Sequence, residues 1–243
     1  MKQIQVVLFD LGGTLIYFDS DWSKVLREAG RAMAHNLCDQ GYEVDEEGFT
    51  ESFTIRMEGY RMERDQDGEE DTTAAILSQA LTQAGHPETP DTAIRAALRT
   101  FYAVTQLHWR VEADTISTLQ TLQAAGYRLG ILSNAADDED VRQLVHLTGI
   151  EPYMEHIFTS ARVGLRKPHS RMFEVALQAF GVNAAHAAMV GDKLSADVRG
   201  AQAVGMFAVW VNRRAEPAEC NLLGEITPDA VADTLSELPN LLP

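Results

Sequence analysis

Two textures of apolar spacing divide the chain. From Val6 to Phe9 the apolar residues run without a polar interruption, as in a strand covered on both faces, and the run stops at Asp10 before the Gly12-Gly13 turn. From about residue 20 to 109 the apolar positions recur instead at steps of three and four. Trp22, Val25, Leu26, Ala29, Met33 and Leu37 form one stripe, and Phe49, Phe53 and Met57 start a second. This spacing predicts helices near 21–40, 46–66, 70–85 and 90–108, broken at Gly41, at Asp67-Gly68 and at Gly85-His86-Pro87.

Beyond about residue 112 strands and helices alternate. Strands are predicted at Tyr127–Leu132, Ile157-Phe158, Ala187–Val190 and Phe207–Val211. Helices are predicted at Asp114–Ala125, Glu139–Leu147, Ser170–Phe180 and Ala196–Val204, several of them stopped by a glycine. Strands separated by helices of this length need right-handed crossovers and a parallel sheet. The expected fold class is therefore α/β: a doubly wound, three-layer parallel-sheet core of five strands, with an all-helical insert after the first strand. The expected division is a core of residues 1–17 and 110–243 and an insert of residues 18–109. The tail is expected to hold one helix, Ala230–Leu238.

Composition narrows the function. The chain has 243 residues, 45% of them hydrophobic, enough for a sizeable core. Its 36 acidic against 20 basic residues give a net charge of −16, which repels nucleic-acid backbones and anionic membrane surfaces. No nucleic acid and no membrane are expected as partners, and the state expected is a monomer or homodimer. No apolar run has the length of a membrane span, and the start MKQIQVVLFD lacks the length and cleavage site of a signal peptide, so a cytoplasmic location is expected. Cys38 and Cys220 are expected as reduced thiols.

The candidate chemistry sits where the predicted strands end. Asp10 closes the first apolar run. Open α/β sheets bind ligands at that edge, glycines let backbone approach closely, and Thr14 offers a hydroxyl. A carboxylate there can attack phosphorus, or it can merely cap the turn. Ser133 and Asn134 end the second run and can bind an anionic oxygen, and Lys167 in Arg166-Lys167-Pro168 is either a cation for that anion or a solvated charge. Asp192 and Asp197 follow a third run with the spacing Gly-Asp-x4-Asp. Magnesium takes oxygen ligands, so such carboxylates suit it, although Asp197 also reads as an acid stabilised at a helix N-terminus. On the first predicted helix Lys24, Arg27, Arg31 and His35 share a face that greets an anionic substrate or faces water. His108-Trp109 reads as packing.

In this order, Asp10, Ser133, Lys167 and the Asp192/Asp197 pair resemble the four motifs of the haloacid dehalogenase superfamily, and the resemblance covers nearly the whole chain. It implies a Rossmann-like core, a helical cap that reads the substrate, and a magnesium-dependent phosphohydrolase acting on a small phosphorylated metabolite through an aspartyl-phosphate. It further implies Asp10 as nucleophile, magnesium on Asp10, the Gly12 carbonyl and Asp192 with Asp197 helping, and substrate phosphate held by Gly13, Thr14, Ser133, Asn134 and Lys167. One position departs: the family's phosphatases usually read Asp-x-Asp-Gly-Thr, and here Gly12 replaces the second carboxylate, the acid/base. One of three situations is then expected: good leaving groups, another acid supplied by Asp19, Asp21 or the cap, or a slow enzyme whose phospho-Asp10 lingers. A phosphometabolite-binding protein without turnover is the alternative, and a haloacid dehalogenase a further one.

Overall fold

The computed structural model describes residues 4–63 and 69–243. Six parallel strands form one sheet: β1 (Val6–Phe9), β4 (Arg128–Ser133), β5 (His156–Thr159), β6 (Ala187–Gly191), β7 (Phe207–Val211) and β8 (Ala230–Ala232). Their order is β5-β4-β1-β6-β7-β8. β1 is central, with Val6 level with Arg128 on one side and Ala187 on the other. Alternate residues feed opposite faces. Val7 and Phe9 pack with Leu119, Leu122, Val141 and Leu144, whereas Val6 and Leu8 pack with Met172, Phe173, Ala176 and Ala201. Burial on both faces is why this segment shows no polar alternation.

The helices between the strands are α5 (Thr115–Ala124), α6 (Asp138–Leu147), α7 (Ser160–Val163), α8 (Ser170–Phe180) and α9 (Arg199–Val204), after α1 to α4 of the insert. The insert holds α1 (Trp22–Asp39), α2 (Glu46–Glu63), α3 (Thr73–Gln83) and α4 (Asp91–Gln106). Local chemistry starts them: Asp21 and Thr72 accept from the amides of Lys24 and Ala75. Their stripes close a separate core in which Leu26, Met33, Leu37, Phe53, Leu77 and Phe101 are buried. The predicted end of the second helix at residue 66 and the break at Asp67-Gly68 lie outside the described residues.

Two findings differ from the sequence expectation. A short antiparallel ribbon, β2 (Ile16–Phe18) with β3 (Trp109–Val111), carries the chain out of the sheet and back, pairing Phe18 with Trp109. No single helix spans Ala230–Leu238; Ala230–Ala232 is the sixth strand, paired with Val209–Val211, and a 3-10 turn at Leu235–Glu237 and a short α-helix at Leu238–Leu241 follow it. Three residues are too few to display a strand period, and their pairing with β7 decides the matter.

Candidate active site

The predicted residues converge at the carboxyl edge of the sheet. Asp10 follows β1, Ser133 ends β4, Asp192 follows β6, and Lys167 lies in the loop between α7 and α8. Asp197 lies in a π-helical turn, Leu194–Val198, a distortion common at functional sites. Together they floor a cleft of about 680 Å³ between the sheet edge and the inserted helices.

Lys167 is the hub. Its buried ammonium donates to Asp10 Oδ1 at 2.7 Å and to the Leu132 carbonyl at 2.6 Å, and pairs with Asp197 Oδ1 at 2.6 Å. Asn134 fixes the backbone beneath it: its amide donates to the Lys167 carbonyl at 2.9 Å and its carbonyl accepts from the Lys167 N–H at 2.7 Å. Burial alone would lower the Lys167 pKa, but the adjacent Asp10 and Asp197 charges outweigh it and hold the ammonium above the usual lysine range.

Two glycines exist here because side chains would collide. Gly13 has φ +91°, and a Cβ on it would lie 2.5 Å from Asp192 Oδ2; a Cβ on Gly191 would lie 2.2 Å from the Asp197 carboxyl carbon. Asp10, Asp192 and Asp197 each present a carboxylate oxygen, all within 4.8 Å of one another, and all three residues are buried. Against three buried carboxylates stand the buried Lys167 ammonium and the half-buried Lys193, whose charge also reaches Asp192. Burial, then the charges of Asp10 and Asp197, raise the Asp192 pKa well above the carboxylate range. Burial likewise raises Asp197 to about 6, with Lys167 pulling down and Asp10 pushing up. An excess of buried oxygen charge at this spacing fits a small hard cation. Thr14 lies at the margin of hydrogen bonding, 3.4 Å from Asp192 Oδ1.

Other expectations fare differently. Lys24, Arg27, Arg31 and His35 do not line the cleft; Arg31 pairs with Glu47 at 3.1 Å and His35 with Glu46 at 3.2 Å, so that face is solvated surface. Asp19 is exposed, 4.0 Å from Arg110, and Asp21 caps α1, so neither substitutes for an acid in the cleft. Trp109, expected as packing, lines the cleft beside Gly12.

Side chains from distant segments support the cleft from behind and at its wall. Glu70 is buried and accepts from Tyr60, Ser160 and Arg166, the residue before Lys167. Asp140 lines the cleft, accepts from Gln106 at 2.8 Å, and is pushed up to about 7, chiefly by burial and also by the charge of Asp137. Neither pairing carries a sequence signal, because each joins segments that only the tertiary fold brings together.

The site thus sets a strand-end carboxylate, braced by a lysine, opposite two further carboxylates at one edge of the sheet. The profile of the family described as haloacid dehalogenase-like hydrolase matches residues 4–205. A glyceraldehyde 3-phosphate phosphatase of Methanothermobacter thermautotrophicus is 30% identical over 98% of this chain and 100% of that protein. Among solved structures, a 2-haloacid dehalogenase of Pseudomonas syringae pv. Tomato is 27% identical, with TM-score 0.67 over 99% of this chain and 98% of that one. A HAD phosphatase of Thermococcus onnurineus is 27% identical, with TM-score 0.65 over 98% of both chains. The chain belongs to the haloacid dehalogenase-like hydrolases. Within that family it is an enzyme of the phosphatase kind. Among the described residues no helix is long and apolar enough to cross a membrane.

Proposed function

We infer that the protein is a magnesium-dependent phosphohydrolase of a small phosphorylated metabolite that works through an aspartyl-phosphate on Asp10. The observation that carries this reading is the buried Asp10, Asp192 and Asp197 cluster braced by Lys167. The relative named for glyceraldehyde 3-phosphate supports the substrate class. Residues 1–17 and 110–243 serve as the catalytic core and residues 18–109 as the cap, in a cytoplasmic monomer or homodimer.

Asp10, the Gly12 carbonyl, Asp192 and Asp197 would hold the magnesium ion, which when bound neutralises charge between the carboxylates and the substrate phosphate. The protein does the rest. Ser133, Asn134 and the backbone at Gly13 and Thr14 orient the phosphate, and Lys167 supplies a fixed positive charge against its oxygens. An Asp10 carboxylate oxygen forms a bond to phosphorus as the bond to the leaving oxygen breaks, that oxygen keeping the electron pair. Water then attacks the phosphorus, Asp10 departs as carboxylate, and the proton passes to solvent.

Phosphate release from acetyl phosphate, with magnesium, with a chelator, and with Asp10→Asn, tests this. Release that needs both magnesium and Asp10 is expected. A chelated sample as active as the magnesium sample would turn the reading towards metal-independent chemistry, and silence in every sample towards a binding protein.

A further inference from the structure

Position 12 is not simply vacant; an aromatic ring fills its space. A Cβ on Gly12 would stand 3.2 Å from Trp109 Cη2 and 3.4 Å from Cζ3, tighter than side chains ordinarily pack. The benzo edge of the indole therefore covers the wall of the cleft two residues after Asp10, and what it presents there is carbon, with no proton to give. The rings continue outward. Phe18, paired with Trp109 across the ribbon, meets it edge-on with centroids 5.3 Å apart, and Trp22 at the start of α1 meets Phe18 at 5.1 Å. All three are half-buried and line the cleft, with Arg61 over the Trp22 ring and His108 against Phe18 on their outer sides.

The geometry points to a leaving-group subsite built from Trp109, Phe18 and Trp22, and to phosphate esters of planar aromatic alcohols as the substrate class. This rests on Asp10 as the nucleophile. In-line displacement then places the departing oxygen on the side of phosphorus away from Asp10, towards the cap. Two independent features select the same substrates. Charge builds on the departing oxygen in a loose transition state, and a phenolic oxygen carries it without a protonating side chain, whereas an alkoxide does not. Offset and edge-on aromatic contacts also bind a planar ring better than a short polar chain. In the balanced step the phosphorus–oxygen bond breaks with its electron pair on the phenolic oxygen, which leaves as phenolate and takes its proton from water.

Four substrates separate the two features when kcat/KM for phosphate release is measured with magnesium: phenyl phosphate has ring and good leaving group, benzyl phosphate the ring only, acetyl phosphate the good leaving group only, and ethyl phosphate neither. Phenyl phosphate is expected to exceed ethyl phosphate by about 10²–10⁴-fold, the size of the missing proton transfer, with benzyl phosphate between them. Trp109→Ala is expected to lower the phenyl-to-acetyl ratio about tenfold, and Trp109→Phe, which keeps a ring and guards against misfolding, by less than about threefold. Ethyl phosphate on a par with phenyl phosphate, or a ratio unmoved by Trp109→Ala, overturns the inference while leaving the phosphatase reading intact. Release from none of the four overturns both.

Discussion

In the metal-free protein the acidic cluster should make neutral pH a liability, and the size of the effect follows from Asp197. Its carboxyl has an ordinary value of 3.8 and is raised in the fold to about 6. A carboxyl whose folded pKa is raised keeps its proton more tightly when folded, so it favours the folded state at low pH and that contribution is lost as pH rises through about 6. Between pH 5 and 7.5 roughly one pH unit of that window is crossed, worth about 1.4 kcal/mol. Asp192 is shifted in the same direction and adds to it. Asp140, raised to about 7, loses stability over the same range but lies outside the cluster. Magnesium on the carboxylates should cancel the cluster's share alone. Urea unfolding at pH 5 and 7.5, chelated and with magnesium, reads this directly. The stability gap between the two samples should be wider at pH 7.5 by at least about 1.4 kcal/mol. A gap that stays constant or narrows refutes the assignment of these carboxylates to a cation.

Three further outcomes are expected. Gly13→Ala forces a side chain onto a positive-φ backbone 2.5 Å from Asp192 Oδ2, at a cost of about 1–3 kcal/mol of local strain, and magnesium titration should show affinity weakened about tenfold or more. Glu70→Gln removes a charge paired with buried Arg166, and urea unfolding should show a loss of about 3 kcal/mol; a loss under about 1 kcal/mol would mean that other groups around Arg166 carry its charge. Gly12→Asp pushes a side chain into the Trp109 indole and should cost about 1–3 kcal/mol of stability, a cost that thermal unfolding should find much reduced in the Trp109→Ala background.

The sequence by itself determined the frame of this protein. Strand burial on both faces leaves an unbroken apolar run, helical packing leaves a stripe at steps of three and four, and both are periodic along the chain. Thus the five strands from Val6–Phe9 to Phe207–Val211 and the four helices of the insert were legible. The candidate site residues were legible for a related reason: Asp10, Ser133 and Asp192 stand where apolar runs end, and a parallel sheet gathers those ends on one edge. Where periodicity is too short to register, as in Ile16–Phe18, Trp109–Val111 and Ala230–Ala232, pairing with a distant strand decided the structure. The partners of charged groups were also invisible. That Lys167 bridges Asp10 and Asp197, that Glu70 holds Arg166, and that the Lys24–His35 face pairs with Glu46 and Glu47 rather than substrate depend on contacts across many residues of sequence. The gap at Gly12 shows the division plainly. The sequence reveals a missing carboxylate, but only the return of the chain through the ribbon brings Trp109 to within 3.2 Å of the Cβ position and fills the space with an indole.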